Sequence, residues 1–228
     1  MKVLSNVENT ALTTIANLNS PLVFKDTFHD VLSLQEFENL LNLTPFTNTI
    51  RFMPTFDIQH YQWPLPYWHT GTNNWPINNI EELIETGVCY LRDCSRATEK
   101  MNLISSVLEK NTNKPVDAHI YFSTDKFVNN GFGVHKDSAH NFIIQIQGNT
   151  HWKVGSKIYT DQERNISNFL DDDIILVDTV LEPGDAIFVP AHVYHSTNSL
   201  SKRISISFPM PDEAPELFEL RKWINWNA

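Results

Sequence analysis

From Pro115 to Phe208 the chain breaks into short β-prone runs separated by turn residues. The runs are Ala118–Ser123, Asn141–Gln147, His151–Val154, Asp173–Asp178, Ala186–Val189 and Arg203–Phe208. Gly148-Asn149 and Leu181-Glu-Pro-Gly-Asp185 supply turns between them. Five of the seven glycines, at 131, 133, 148, 155 and 184, fall in this region, where turns need backbone angles that other residues avoid. Many short strands punctuated by turns predict a sandwich or barrel.

The first half reads as mixed. Pro21–Lys25 is a short apolar run of strand type. Ser33-Leu-Gln-Glu36 is a capping-box pattern ahead of Phe37, Leu40 and Leu41 at helical spacing. Asn78 and Asn79 precede a second helix ending near Gly87, and a third spans Thr98 to Lys110 with Met101, Ile104, Val107 and Leu108 on one face. Between the first two helices, prolines at 64, 66 and 76 exclude helix and central strand. The rings there either pack down on their own loop or wall a cleft. In the second case Tyr61, Trp63, Trp68 and Trp75 are the substrate candidates. Ala214–Trp226 reads as a last helix. The expected organisation is one structural domain: a mixed region 1–114, a catalytic core 115–210 and a C-terminal helix 211–228.

Composition narrows the function classes. Hydrophobic residues are 41% and aromatics 11% of 228 residues, too many for a disordered chain. No apolar run reaches the ~20 residues of a membrane helix, and the N-terminus is too polar for a signal peptide. Cys89 and Cys94 make no disulfide framework. These features lead to the expectation of a cytoplasmic protein. A net charge of −10 argues against a nucleic-acid surface, which needs clustered Lys and Arg. It would suit a basic partner, and a homodimer stays open.

The chemistry concentrates at Gly131-Phe-Gly-Val-His135-Lys-Asp137. On an extended strand His135 and Asp137 face the same way. Val189-Pro-Ala-His192-Val-Tyr-His195 offers a third ligand. Two imidazoles and one carboxylate on one face of an octahedral ion leave three positions open, the arrangement of non-haem Fe(II) oxygenases. His192 competes with His195, and His195 is preferred because it lies closer to the following strand.

His135-x-Asp137-x4-Phe142-x2-Gln145-x2-Gly148-x3-Trp152 resembles the core of the JmjC-type cupin oxygenases, most of all the bacterial ribosomal-protein hydroxylases. The similarity is good over about 115–208 and loose over 20–110. It implies a double-stranded β-helix, a jelly-roll barrel flanked by helices. It also implies Fe(II) held by His135, Asp137 and His195, with 2-oxoglutarate and O₂ as co-substrates. A retained Asp137 implies hydroxylation, because related halogenases carry a small residue there. One departure stands out. The family places Lys or Arg just after its Gln-x-x-Gly strand to hold the far carboxylate of 2-oxoglutarate, whereas this chain has Thr150.

Arg203-Ile-Ser205 supplies an alternative anchor, as in other branches of the 2-oxoglutarate oxygenases, and His151 and Lys153 come next. Strand alternation puts Arg203, Ser205 and Ser207 on one face. Thr150, Tyr121 and Asn141 complete the candidate co-substrate residues. The expected activity is hydroxylation of an unactivated C–H of a protein or peptide side chain. The alternatives are a free amino acid or natural-product intermediate as substrate, and a cupin that binds metal without 2-oxoglutarate or is not catalytic.

Overall fold

Side-chain alternation along the strands explains the layering of this protein. The computed structural model describes residues 2–41, 51–54, 87–92, 94–125 and 133–211. Among the described residues three helices, α1 (Asn6–Ile15), α2 (Leu34–Leu41) and α3 (Glu99–Thr112), accompany two antiparallel sheets. The larger sheet contains β1 (Leu22–Phe24), β2 (Arg51–Pro54), β3 (Gly87–Leu91), β4 (His119–Ser123), β6 (Ala139–Gln147), β10 (Ala186–Val189) and β12 (Arg203–Pro211). Its order is β1-β10-β6-β12-β4-β3-β2. The smaller sheet contains β5 (Val134–His135), β7 (Thr150–Ile158), β8 (Asn165–Ile166), β9 (Ile175–Leu181) and β11 (Val193–Ser199), in the order β8-β5-β11-β7-β9. Consecutive strands trade sheets at β4–β5–β6–β7 and again at β9–β10–β11–β12, which makes a jelly-roll barrel.

One face of the large sheet is the helix side. Ile120 and Phe122, Phe142 and Ile144, Ala186 and Phe188, and Ile204, Ile206 and Phe208 join Leu12 and Ile15 of α1 and Met101, Ile104 and Leu108 of α3 in one buried cluster. The other face looks into the barrel. There Ile143, Ile187 and Val189 meet Trp152, Val154, Leu181 and Val193. The polar members of the same strands, among them Gln145, Arg203, Ser205 and Ser207, are buried as well. The expected split of β12 into an apolar helix face and a polar barrel face is thus present.

Local chemistry explains the element ends. Ser33 Oγ accepts from Glu36 N at 3.2 Å and Glu36 Oε2 accepts from Ser33 N at 2.8 Å, the capping box read from the sequence. Thr98 caps α3 by accepting from Met101 N at 3.3 Å. Gly148 turns β6 into β7 at φ +70°, and a Cβ there would lie 1.9 Å from Lys202 O, so the turn is closed to other residues.

Several elements differ from expectation. Helix α1 was not anticipated, although Ser5 and Glu8 form a second capping box. Gly87, the expected end of a helix, opens β3. The run starting at Asp173 becomes a strand only at Ile175, because the Asp173 carboxylate is engaged by Ser156 N at 2.8 Å and Lys157 N at 3.2 Å. The polar strand β11 has no apolar alternation to announce it. The helix expected after Asn79, the aromatic stretch with Tyr61, Trp63, Trp68 and Trp75, and residues 212–228 of the expected C-terminal helix lie outside the described residues, while Pro211 closes β12. Among the described residues no helix is long and apolar enough to cross a membrane.

Candidate active site

His135 ends β5 and pairs directly across the ladder with His195 of β11. Their rings lie 4.3 Å apart, centroid to centroid. His135 Nδ1 meets Gly133 O at 3.2 Å and His195 Nδ1 meets Val193 O at 3.0 Å. A carbonyl only accepts, so each Nδ1 carries a proton, which leaves Nε2 as the ring nitrogen that could take a metal. Asp137 follows β5, with Oδ2 3.8 Å from His195 Nε2. Ligand atoms of His135, Asp137 and His195 all lie within 4.8 Å of one another, the spacing that one ion can bridge.

Charge states suit a cation. Burial, together with the neighbouring His195, pushes His135 down to about 4 despite Asp137, so it is neutral at pH 7. Burial of Asp137 opposes its ionisation, but His135, His195 and Arg164 outweigh that and hold its carboxyl below the usual range. Neutral imidazoles and an ionised carboxylate are the forms that bind metal.

His192 does not join the three. Its backbone sits at φ +62°, its N–H donates to Asp137 O at 2.7 Å, and its side chain lines an outer bowl.

Inside the triad a narrow cavity runs into the barrel, lined by Tyr121, Asn141, Trp152, Thr197, Arg203 and Ser205 among others. Arg203 is 3% exposed. Among the described residues no carboxylate lies within ion-pair distance of it, and its Nε has no hydrogen-bond partner. Burial pushes its guanidinium down to about 10, which still leaves it charged at pH 7. Tyr121 stacks on Tyr90 at 5.1 Å, and burial drives its hydroxyl pKa up, so it stays a donor. The cavity therefore presents a buried cation without a counter-charge among the described residues, beside a cluster of metal-ligand atoms. A dicarboxylate reaching from one to the other fits that chemistry.

Thr150 is fully buried opposite Ser199 and is absent from the cavity lining. Asn141 Nδ2 donates to Asp137 Oδ2 at 3.0 Å and its Oδ1 accepts from Ser207 Oγ at 3.1 Å, so it links the triad to β12. His151 and Lys153 both turn outward to Asp178, at 2.5 and 3.3 Å.

Sequence reasoning missed Thr197 and Arg164. Thr197 was reachable by counting two along β11 from His195. Nothing in the pattern around Arg164 singles it out.

Outside the triad a bowl of about 530 Å³ is lined by Tyr90, Arg92, Lys136, Arg164 and His192, together with Asp137. Among the described residues, three basic side chains and one acid line this opening, against a net charge of −10 for the molecule.

A helix-flanked jelly roll with two imidazoles and a carboxylate converging in its barrel defines a cupin-type metal site. The profile described as "JmjC domain" matches residues 94–216, more than half of the chain, and the chain belongs to that family. The "Ribosomal protein uL16 3-hydroxylase" of Escherichia coli (strain K12) is 33% identical over 86 residues, covering 36% of this chain and 23% of that protein. "Ribosomal oxygenase 1" of Danio rerio is 28% identical over 102 residues, covering 42% of this chain and 18% of that protein. The alignments thus span less than a quarter of these curated relatives. The crystal structure of YcfD, a ribosomal oxygenase from Escherichia coli in complex with cobalt and 2-oxoglutarate, shares the fold. It aligns with a TM-score of 0.58 at 23% identity over 89% of this chain and 50% of that one.

Proposed function

We propose that this chain is an Fe(II)- and 2-oxoglutarate-dependent oxygenase that hydroxylates an unactivated C–H bond of a protein or peptide side chain. One observation carries the reading: the buried, uncompensated guanidinium of Arg203 shares a cavity with the convergent His135, Asp137 and His195. Iron and 2-oxoglutarate, when bound, supply the oxidising power that puts one atom of O₂ into the C–H bond, with succinate and CO₂ as co-products.

The protein's own part is binding, orientation and exclusion of water. His135, Asp137 and His195 hold the metal on one face. Arg203 takes the far carboxylate of 2-oxoglutarate, with Ser205 and the Tyr121 hydroxyl as further donors. Trp152, stacked against His195 at 6.0 Å, and Ile143 supply apolar wall. The outer bowl receives the side chain to be oxidised. Membership of the JmjC family supports this reading, and relatives named for acting on a ribosomal protein make such a protein the first substrate to try.

Anaerobic titration of Fe(II) and 2-oxoglutarate tests the proposal. The wild type is expected to develop the visible charge-transfer band of an iron-chelated 2-oxo acid, and to release succinate slowly in air. His135→Ala, Asp137→Ala and His195→Ala are each expected to abolish both signals, and His192→Ala to keep them. Absence of the band in the folded wild type would sink the reading.

A further inference from the structure

Asp137 is held by two donors, one on each oxygen. Arg164 Nη2 donates to Oδ1 at 2.9 Å, and Asn141 Nδ2 donates to Oδ2 at 3.0 Å. Oδ2 is the oxygen turned toward the imidazoles, 3.8 Å from His195 Nε2. Asn141 is itself fixed by Ser207 Oγ at 3.1 Å. The plane of the carboxylate is therefore set from both sides.

Arg164 makes this contact from an anchored backbone. Its carbonyl accepts from Lys136 N at 2.9 Å, and Lys136 is the residue between His135 and Asp137. The Glu163 carbonyl accepts from Tyr194 Oη at 2.5 Å, next to His195. Tyr159 N donates to His192 O at 2.9 Å, and Tyr159 O accepts from Lys136 Nζ. Directly after Arg164, β8 pairs with β5 through Val134–Ile166 and His135–Asn165. The segment from Tyr159 to Ile166 is thus stapled to the stretches that carry the triad, although the Arg164 side chain is 64% exposed.

We infer that Arg164 is a positioning residue that keeps Asp137 a one-oxygen ligand by occupying its outer oxygen. The inference rests on the oxygenase reading above. A facial triad leaves three positions on an octahedral ion. A chelating 2-oxo acid needs two of them and O₂ the third. A carboxylate that bound through both oxygens would take one of those positions. A guanidinium on Oδ1 opposes that swing by charge-assisted hydrogen bonding, at the cost of one exposed arginine. Groups that orient a ligand in this way tune a metal site without touching the ion. Asn141 does not serve the purpose alone, because it bonds to Oδ2, the oxygen nearer His195, and leaves Oδ1 unguarded.

Co(II) is the probe, because its d–d spectrum reports coordination number without turnover. Wild type, Arg164→Ala and Arg164→Lys are titrated anaerobically with Co(II), then with 2-oxoglutarate. We expect all three to bind Co(II), and the Arg164→Ala spectrum to differ from wild type before 2-oxoglutarate is added. Its affinity for 2-oxoglutarate should fall about tenfold, because a carboxylate oxygen must first be displaced, an effect of about 1.4 kcal/mol. Arg164→Lys should restore most of both signals, which a merely structural role would not require. Thermal melting of the metal-free Arg164→Ala should fall only slightly, since the lost contact to Asp137 is made by a side chain mostly in water.

Identical spectra and affinities in wild type and Arg164→Ala would overturn the inference while leaving the oxygenase reading intact. So would loss of Co(II) from a folded Arg164→Ala, since the arginine would then serve to hold the ion rather than to set the binding mode. A wild type that binds neither Co(II) nor 2-oxoglutarate would overturn the oxygenase reading, and the inference with it.

Discussion

Asp185 shows how one buried carboxylate organises a turn. It lies at the end of Leu181–Asp185, with its side chain 6% exposed. It accepts from Lys25 Nζ at 2.7 Å, Glu182 N at 2.8 Å and Asp26 N at 2.9 Å, so it ties the start of β10 to the chain leaving β1. Burial pushes its pKa up, but the donors from Glu182, Lys25 and Asp26 win and hold it below the usual value. A carboxyl whose pKa is depressed by folding stabilises the protein fully above its unfolded value of about 3.9. That contribution fades as the pH falls through the folded value, and below both it is gone. Asp185→Asn keeps the shape and removes the charge. It is expected to cost roughly 1.5–3 kcal/mol at pH 7, the scale for hydrogen bonds to a charged group, and progressively less below about pH 4. Urea unfolding at both pH values measures this; an equal loss at pH 7 and pH 3 would show that the charge is not the cause.

At the scale of elements, α1 is fastened to α3 by more than apolar contact. Lys100 Nζ lies 2.7 Å from Glu8 Oε1 and also donates to His29 O at 2.8 Å, with side-chain exposures of 8% for Lys100 and 4% for Glu8. Removing one partner of such a pair strands a buried charge, so Lys100→Met alone is expected to cost about 3–5 kcal/mol. Adding Glu8→Gln should recover most of that, because Gln can still accept from Ser5 N in the capping box while the stranded charge disappears. Chemical denaturation of the two single variants and the double closes the cycle, and strictly additive losses would rule out the coupling.

The same elements mark how far the sequence could be read. α2 was legible because Ser33 and Glu36 sit directly ahead of a helical apolar stripe. The Ser5–Glu8 box says the same of α1, but the polar residues around it dilute the stripe. β12 was legible because isoleucine alternates with serine. β11 was not, because its buried residues His195, Thr197 and Ser199 are polar, the first two lining the cavity. His135 and Asp137 could be placed together from period two alone. The contact from Arg164 comes off a loop, where no periodicity carries information.

On the scale of the whole molecule, the two faces of the large sheet pull stability in opposite directions. The helix face buries a continuous apolar cluster, which stabilises the fold. The barrel face buries Gln145 Oε1 and Arg203 Nε, and the smaller sheet opposite adds Thr150 Oγ1, Trp152 Nε1 and Thr197 Oγ1, all without hydrogen-bond partners among the described residues, which costs it. Arg203 is the most expensive of these, being a charge. An interior of this kind suits a ligand that completes it better than it suits the empty fold. Arg203→Met keeps much of the side-chain volume and removes the charge. The metal-free variant is therefore expected to melt at a higher temperature than wild type, as when a buried charge gives way to a well-packed apolar group. The ligand response should go the other way. Saturated with Co(II) and given 2-oxoglutarate at a hundred times its Kd, the wild type gains about 2.7 kcal/mol. In Arg203→Met, with binding weaker by roughly 2–3 kcal/mol for the lost charge-assisted pair, the same concentration should leave almost no gain, while the shift from Co(II) alone persists. Melting curves of both proteins, bare, with Co(II), and with Co(II) plus 2-oxoglutarate, decide the matter. If Arg203→Met melts lower when bare and still responds fully to 2-oxoglutarate, Arg203 is a structural residue and the anchor lies elsewhere in the barrel.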